Sequence, residues 1–173
     1  MKGQISFVEF LVTMSIFISF IGYFSFQLMN FYPVYLNEIR NERIRSESYQ
    51  ISEILTNDPG KPLRWYADTN DVTRVGLSDE TKNKTNVLSL VKINTFDSEC
   101  KKNSYNGYYN IKKWLASDYD LSITLIDKTY SSEGNVLINC HPPAPTAVRA
   151  INTTVRRIVS FDSGYGELII QMW

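Results

Sequence analysis

From Phe10 to Asn37 the chain carries no Asp, Glu, Lys or Arg, and Phe, Ile, Leu, Val and Met dominate those 28 positions. As one α-helix this run is about 42 Å long, against roughly 30 Å for the hydrocarbon core of a bilayer. A buried helix of a soluble domain has no use for such length. A secretory signal peptide has a shorter apolar core followed by a small-residue cleavage site. Here the run passes instead through Tyr23, Phe24, Phe26, Phe31, Tyr32 and Tyr35 into a charged, helix-like pattern. Bulky aromatics suit a retained helix that reaches a membrane–water interface, so the segment is expected to remain in the mature protein.

The other positions of the 173-residue chain allow one domain of ordinary size attached to that helix. Formal charge is zero and the pI is near neutral, so no nucleic acid partner is expected and partners are sought through apolar surface. Lys2 and the amino terminus flank the apolar run on one side. On the other, Glu38, Glu42 and Glu47 offset Arg40, Arg43 and Arg45. This balance favours a single-pass orientation with the N-terminus inside and the head outside. Cys100 and Cys140 then lie in the external part, where a disulfide is permitted; two buried free thiols are the alternative.

The chain starts Met-Lys-Gly-Gln-Ile-Ser-Phe-Val-Glu-Phe-Leu. Residues 2–11 resemble the class III signal peptide of archaeal type IV pilin-like proteins. In that family a membrane-embedded prepilin peptidase cuts after a short basic leader ending in Gly. The resemblance implies a cut between Gly3 and Gln4, with Lys2 as the leader's basic residue, Gln4 as the new terminus and Ser6 as its third residue. The family's glutamate usually stands fifth after the cut; here Val8 occupies that place and Glu9 is sixth. That glutamate is thought to pair with the α-amine of a neighbouring subunit, offsetting two charges that are costly in an apolar surrounding. One residue of offset turns a side chain by about 100° around a helix. Glu9 is thus the candidate assembly residue in a shifted register, or a helix-start carboxylate held at headgroup level by the helix dipole.

Gly22 and Pro33 are positions where the helix can bend. Beyond them Leu36, Ile39, Ile44, Ile51, Ile54 and Leu55 recur at helical spacing among Arg, Glu and Ser, an amphipathic pattern expected to pack on the head. Asn57-Asp58-Pro59-Gly60-Lys61-Pro62 ends the helix. With Trp65, this stretch also looks like a segment common in archaeal pilin-like surface proteins with such a leader. Strands are expected at Val72–Leu77, Val87–Ile93, Leu121–Ile126, Val136–Cys140, Thr153–Phe161 and Glu167–Trp173. A helix is expected at Tyr108–Ala116, with Ile111, Trp114 and Leu115 on one face. Asp162–Gly166 reads as a hairpin turn, and His141–Ala147, with three prolines, as an extended loop.

The fold class expected is therefore α+β: a long N-terminal hydrophobic α-helix packed on an antiparallel β-sheet head, as in type IV pilins. The leader is residues 1–3, the helix 4–56, with an apolar part over about 5–33 and a head-packing part over about 34–56, and the head 57–173. Asn83-Lys84-Thr85 and Asn152-Thr153-Thr154 are N-glycosylation sequons if the head is external. No phosphate-binding glycine loop, Cys-x-x-Cys pair or His-Glu-x-x-His helix occurs, and His141 is the one histidine. Asp118 with Asp120, and Asp68 with Asp71, lie in turn-like stretches without companions, so no catalytic site, metal or cofactor is expected. The resemblance implies a structural filament subunit, with the membrane, the prepilin peptidase and identical or related pilin subunits as partners. A non-polymerising, membrane-anchored adhesion or binding module is the alternative.

Overall fold

The computed structural model describes residues 2–82, 84–102, 106–130, 134–143, 153–162 and 164–173, with side chains from Phe7 onward. Helix α1 spans Lys2–Asn57 and continues through Pro33. The chain forms two compact units, Met1–Glu42 and Arg43–Trp173.

The first unit is helix alone. Its large apolar side chains are uncovered on every side, from Phe7, Phe17 and Phe20 to Phe31 and Tyr35. Several polar side chains within it bond along the helix: Thr13 Oγ1 donates to the Glu9 carbonyl, Ser19 Oγ to the Ser15 carbonyl and Gln27 Nε2 to Tyr23 Oη, each at 2.8 Å. These bonds pair part of the polar capacity of those side chains within the helix, which lowers the cost of placing them in an apolar surrounding. Among the described residues one helix is long and apolar enough to cross a membrane.

The second unit is the head. Its part of α1 buries one stripe, Ile44, Ser48, Ile51, Ser52, Leu55 and Thr56, at the 3–4 residue spacing of a single helix face. The Ser and Thr hydroxyls donate to carbonyls one turn back, so small residues lie against the head without an unpaired polar atom. Leu36 and Ile39 remain exposed, and the buried stripe begins at Ile44 rather than near residue 34.

The helix packs on a four-stranded antiparallel sheet made of β1 (Leu121–Asp127), β2 (Asn135–Cys140), β3 (Thr153–Phe161) and β4 (Gly164–Met172), in the order β2-β1-β4-β3. The α+β class expected from the sequence is the class observed. Alternation sets the buried face: Leu121, Ile123 and Leu125 oppose Met172, Ile170 and Leu168 across the β1–β4 ladder. Arg157 of β3 donates to Ser52 Oγ at 2.8 Å and to Glu53 Oε1 at 2.5 Å. Glu47 Oε1 accepts from Ser117 Oγ at 2.6 Å, a second tie between this helix segment and the rest of the head.

Two expected strands are not regular strands. Val72–Leu77 is irregular, with one isolated bridge, Lys61 to Arg74, because its backbone groups are used to brace the end of α1. Val87 and Leu88 make isolated bridges to Ser160 and Ser78, after which the chain turns into α2 (Leu90–Lys101). Ile93, Phe96 and Cys100 are buried at helical spacing, and Ser89 stands at the N-cap. Leu88, Leu90, Val91 and Ile93 imitate a strand until that later periodicity is included. The expected helix at 108–116 is α3 (Asn106–Trp114), with Ile111 and Leu115 buried. The β3–β4 turn is tighter than expected, since Phe161 already pairs with Gly164.

Candidate functional site

The first unit presents the uncovered apolar surface of α1. In the second unit the sequence singled out the segment after the helix, and it forms a cross-braced corner. Asp58 begins it: Oδ1 accepts from the Gly60 N–H at 2.7 Å, and Oδ2 pairs with Arg74 at 2.6 Å. Gly60 adopts φ +89°, and a Cβ there would lie 2.5 Å from the Trp65 ring, so both conformation and space require glycine. Lys61 precedes a cis Pro62 and exchanges backbone hydrogen bonds with Arg74, donating at 2.8 Å and accepting at 3.2 Å. Trp65 is fully buried, with Nε1 donating to the Gly76 carbonyl at 2.9 Å. Gly76 is pressed against the Asp58 carbonyl, where any Cβ would collide. Leu77 N–H closes the corner on the Leu55 carbonyl at 3.0 Å. Asp58, Gly60 and Trp65 of the Asp-Pro-Gly-x-Pro-x-x-Trp segment each have a structural task in bracing the helix end.

Beneath this corner lies a buried cation. Lys92 of α2 donates to the Pro59 carbonyl at 2.9 Å, the Ser78 carbonyl at 2.9 Å and Glu80 Oε2 at 2.5 Å. Three donors meet three acceptors, which is the condition for burying an ammonium group. Burial pushes the Glu80 pKa up, but the Lys92 hydrogen bond, a hydrogen bond from the backbone of Glu80 itself and the Lys92 charge together hold the carboxyl below its ordinary 4.5. Sequence reading missed Lys92, because a lone Lys in a run of alternating character carries no sign of burial. It also missed Tyr108, whose hydroxyl donates to the Leu121 carbonyl at 3.2 Å and accepts from its N–H at 3.0 Å. Burial pushes that phenol up to about 12.

Cys100 and Cys140 form a disulfide, Cα–Cα 5.7 Å, joining the end of α2 to the end of β2. Lys2, Gly3, Gln4 and Ser6 lie in the helical backbone of α1, and their side chains are outside the described residues. Glu9 is exposed on the helix surface. Both sequon asparagines, Asn83 and Asn152, lie outside the described residues, as do positions 144–147 of the proline loop. His141 is exposed just after β2. Among the described residues no cluster of His, Cys, Asp and Glu could hold a metal ion.

No family model matches the chain, and no curated protein or solved structure matches it. Function therefore rests on the residues and their arrangement.

Proposed function

We propose that the chain is a structural subunit of an archaeal type IV pilus-like surface filament. It is inserted in the membrane through α1, cut by a prepilin peptidase after Gly3 and assembled by packing of its apolar helix against related helices. The observation that carries this reading is the division of α1. Residues 44–56 bury one stripe in the head, whereas residues 7–36 leave apolar side chains uncovered around the whole circumference. A helix that is hydrophobic all round requires lipid or other helices around it. The Lys2-Gly3-Gln4-x-Ser6 start supplies the reason to choose a pilin among helix-anchored proteins. The corner at Asp58–Trp65 and the disulfide suit an external head that is joined to its helix and must bear load.

Mass spectrometry of the native N-terminus tests processing: a Gln4 start is expected, and a chain beginning at Met1 overturns the peptidase step. Shearing cells and imaging the released material tests assembly, with recovery of this chain in filaments expected.

A second reading, a membrane-anchored binding module that does not polymerise, is favoured by one observation. Glu9 stands one place beyond the usual position of the pairing glutamate, about 100° around the helix. Processing at Gln4 with no chain in the sheared fraction would select this reading. On either reading the head is external, where sequons at Asn83 and Asn152 can accept glycans.

A further inference from the structure

The two edges of the sheet differ. At β2 the edge is closed by α2: Asp97 Oδ1 accepts from the Asn139 N–H at 3.0 Å, and the Cys100–Cys140 disulfide fastens the two elements. At β3 the Ser160 N–H donates to the Asn86 carbonyl at 2.9 Å, and the Ser160 carbonyl accepts from the Leu88 N–H at 2.8 Å. The Ser160 backbone therefore faces away from β4. The period of two along a strand turns the backbones of Ile158, Arg156 and Thr154 the same way. Among the described residues none of their outward N–H and C=O groups has a backbone partner. Asn86–Leu88 thus starts a fifth strand and leaves it after one bridge, as the chain turns into α2. The side chains at the open rungs lie on the sheet face away from α1, since Arg157 between them reaches Ser52. Ile158 is 78% exposed and sits diagonally between Tyr165 and Ile169 of β4. Arg156 is exposed; Nη1 donates to Glu167 Oε1 at 3.2 Å, and its other nitrogens are unbonded among the described residues.

We propose that the open edge of β3, from Thr154 to Ile158, docks an extended segment of another protein by β-strand addition. Hydrogen-bond chemistry selects the occupant. A row of N–H and C=O groups at strand spacing is matched rung for rung by another extended backbone, whereas a helix uses its own groups internally. Side chains narrow the sequence. Directly opposed residues share a face, so an antiparallel partner sets an apolar residue against Ile158, within reach of Tyr165 and Ile169, and an acidic residue two positions later against Arg156. Charge argues against a second copy. The antiparallel self-pairing that uses all three open residues places Arg156 opposite Arg156, and like charges directly opposed destabilise a ladder. Pairing β3 of one copy with β2 of another is blocked by α2. The site belongs to the head alone and does not depend on whether the chain polymerises.

The test is amide hydrogen exchange of the detergent-solubilised full chain, followed by NMR, with the synthetic peptide acetyl-Lys-Thr-Val-Thr-Glu-Thr-Lys-amide at millimolar concentration. Exchange at Thr154, Arg156 and Ile158 is expected to slow at least fivefold. A control peptide methylated on the Val and Glu nitrogens, which would face the edge, is expected to have no effect. Arg156→Glu should reverse the charge preference, so that the same peptide with Lys in place of Glu becomes the better ligand by at least threefold. Ile158→Pro removes one outward N–H without touching the β3–β4 ladder and should abolish protection at Thr154 and Arg156. Unchanged exchange with the peptide, equal slowing by the methylated control, or an unreversed preference in Arg156→Glu would each overturn the site. Slow exchange at the three amides before peptide is added would mean that the chain covers its own edge, and slowing that grows with protein concentration alone would make a second copy the occupant; either result also overturns the proposal.

Discussion

Residues 7–42 and residues 43–57 belong to one uninterrupted helix, yet they solve different problems. In the later stretch Ile44, Ile51 and Leu55 are nearly inaccessible, and Glu47, Ser52 and Glu53 make named bonds to the head. In the earlier stretch Phe17, Phe20, Phe26 and Phe31 are each more than 60% exposed, and Thr13, Ser19 and Gln27 bond along their own helix. One stretch finds its partners inside the chain, and the other must find them outside it. Secondary structure alone does not distinguish these roles. The width of the apolar face does: one stripe in the later stretch, the full circumference in the earlier one.

The strongest way to break this comparison is a matched truncation. Leu55→Ala, which empties a fully buried site, is expected to cost the head about 4 kcal/mol in urea denaturation of the detergent-solubilised chain. Phe17→Ala should change the same transition by less than about 0.5 kcal/mol, since its side chain is exposed. Equal losses would mean that the earlier stretch contributes to the head after all. The converse test introduces charge. Ile16→Lys is expected to weaken membrane insertion by about 3 kcal/mol, seen as loss of chain from alkaline-washed membranes. Tyr49→Lys, also at an exposed position of α1, should leave insertion unchanged.

The two stretches also differed in how legible they were. The apolar run needed only the absence of charge over 28 positions, because hydrocarbon imposes a requirement that any sequence must meet everywhere along its length. Four of the six expected strands were legible from alternation at β1 to β4, since one face packs on the core and the other does not. The region from residue 57 to residue 101 was not. Its order comes from non-local bonds, such as Trp65 to Gly76 and Lys92 to Pro59, between residues whose types alone do not announce them. The starting motif and Glu9 gave a functional expectation, yet the corner that holds the helix to the head was recognised only as a resemblance and a turn.

Lys92 links these points, since it connects the corner to α2 and can be perturbed without touching the apolar stretch. Lys92→Met keeps the length of the side chain but leaves the Pro59 and Ser78 carbonyls without their donor, at an expected cost of about 2 kcal/mol by urea denaturation. The acid side of the stability profile then gives the smallest and most specific effect. Glu80 is held below its ordinary 4.5, so its contribution is fully present above that pH and is lost as pH falls through the lower folded value. Lys92→Met removes a hydrogen bond and a charge that help to hold it down, so the variant should lose less stability than the parent between pH 5 and 3. Tyr108 acts at the opposite extreme. Its folded pKa of about 12 exceeds the ordinary 10, so its contribution is complete below pH 10 and disappears as pH rises toward 12. Tyr108→Phe should flatten that alkaline limb while leaving the acid limb in place. A Lys92→Met chain with an unchanged acid limb would show that the corner does not depend on its buried cation.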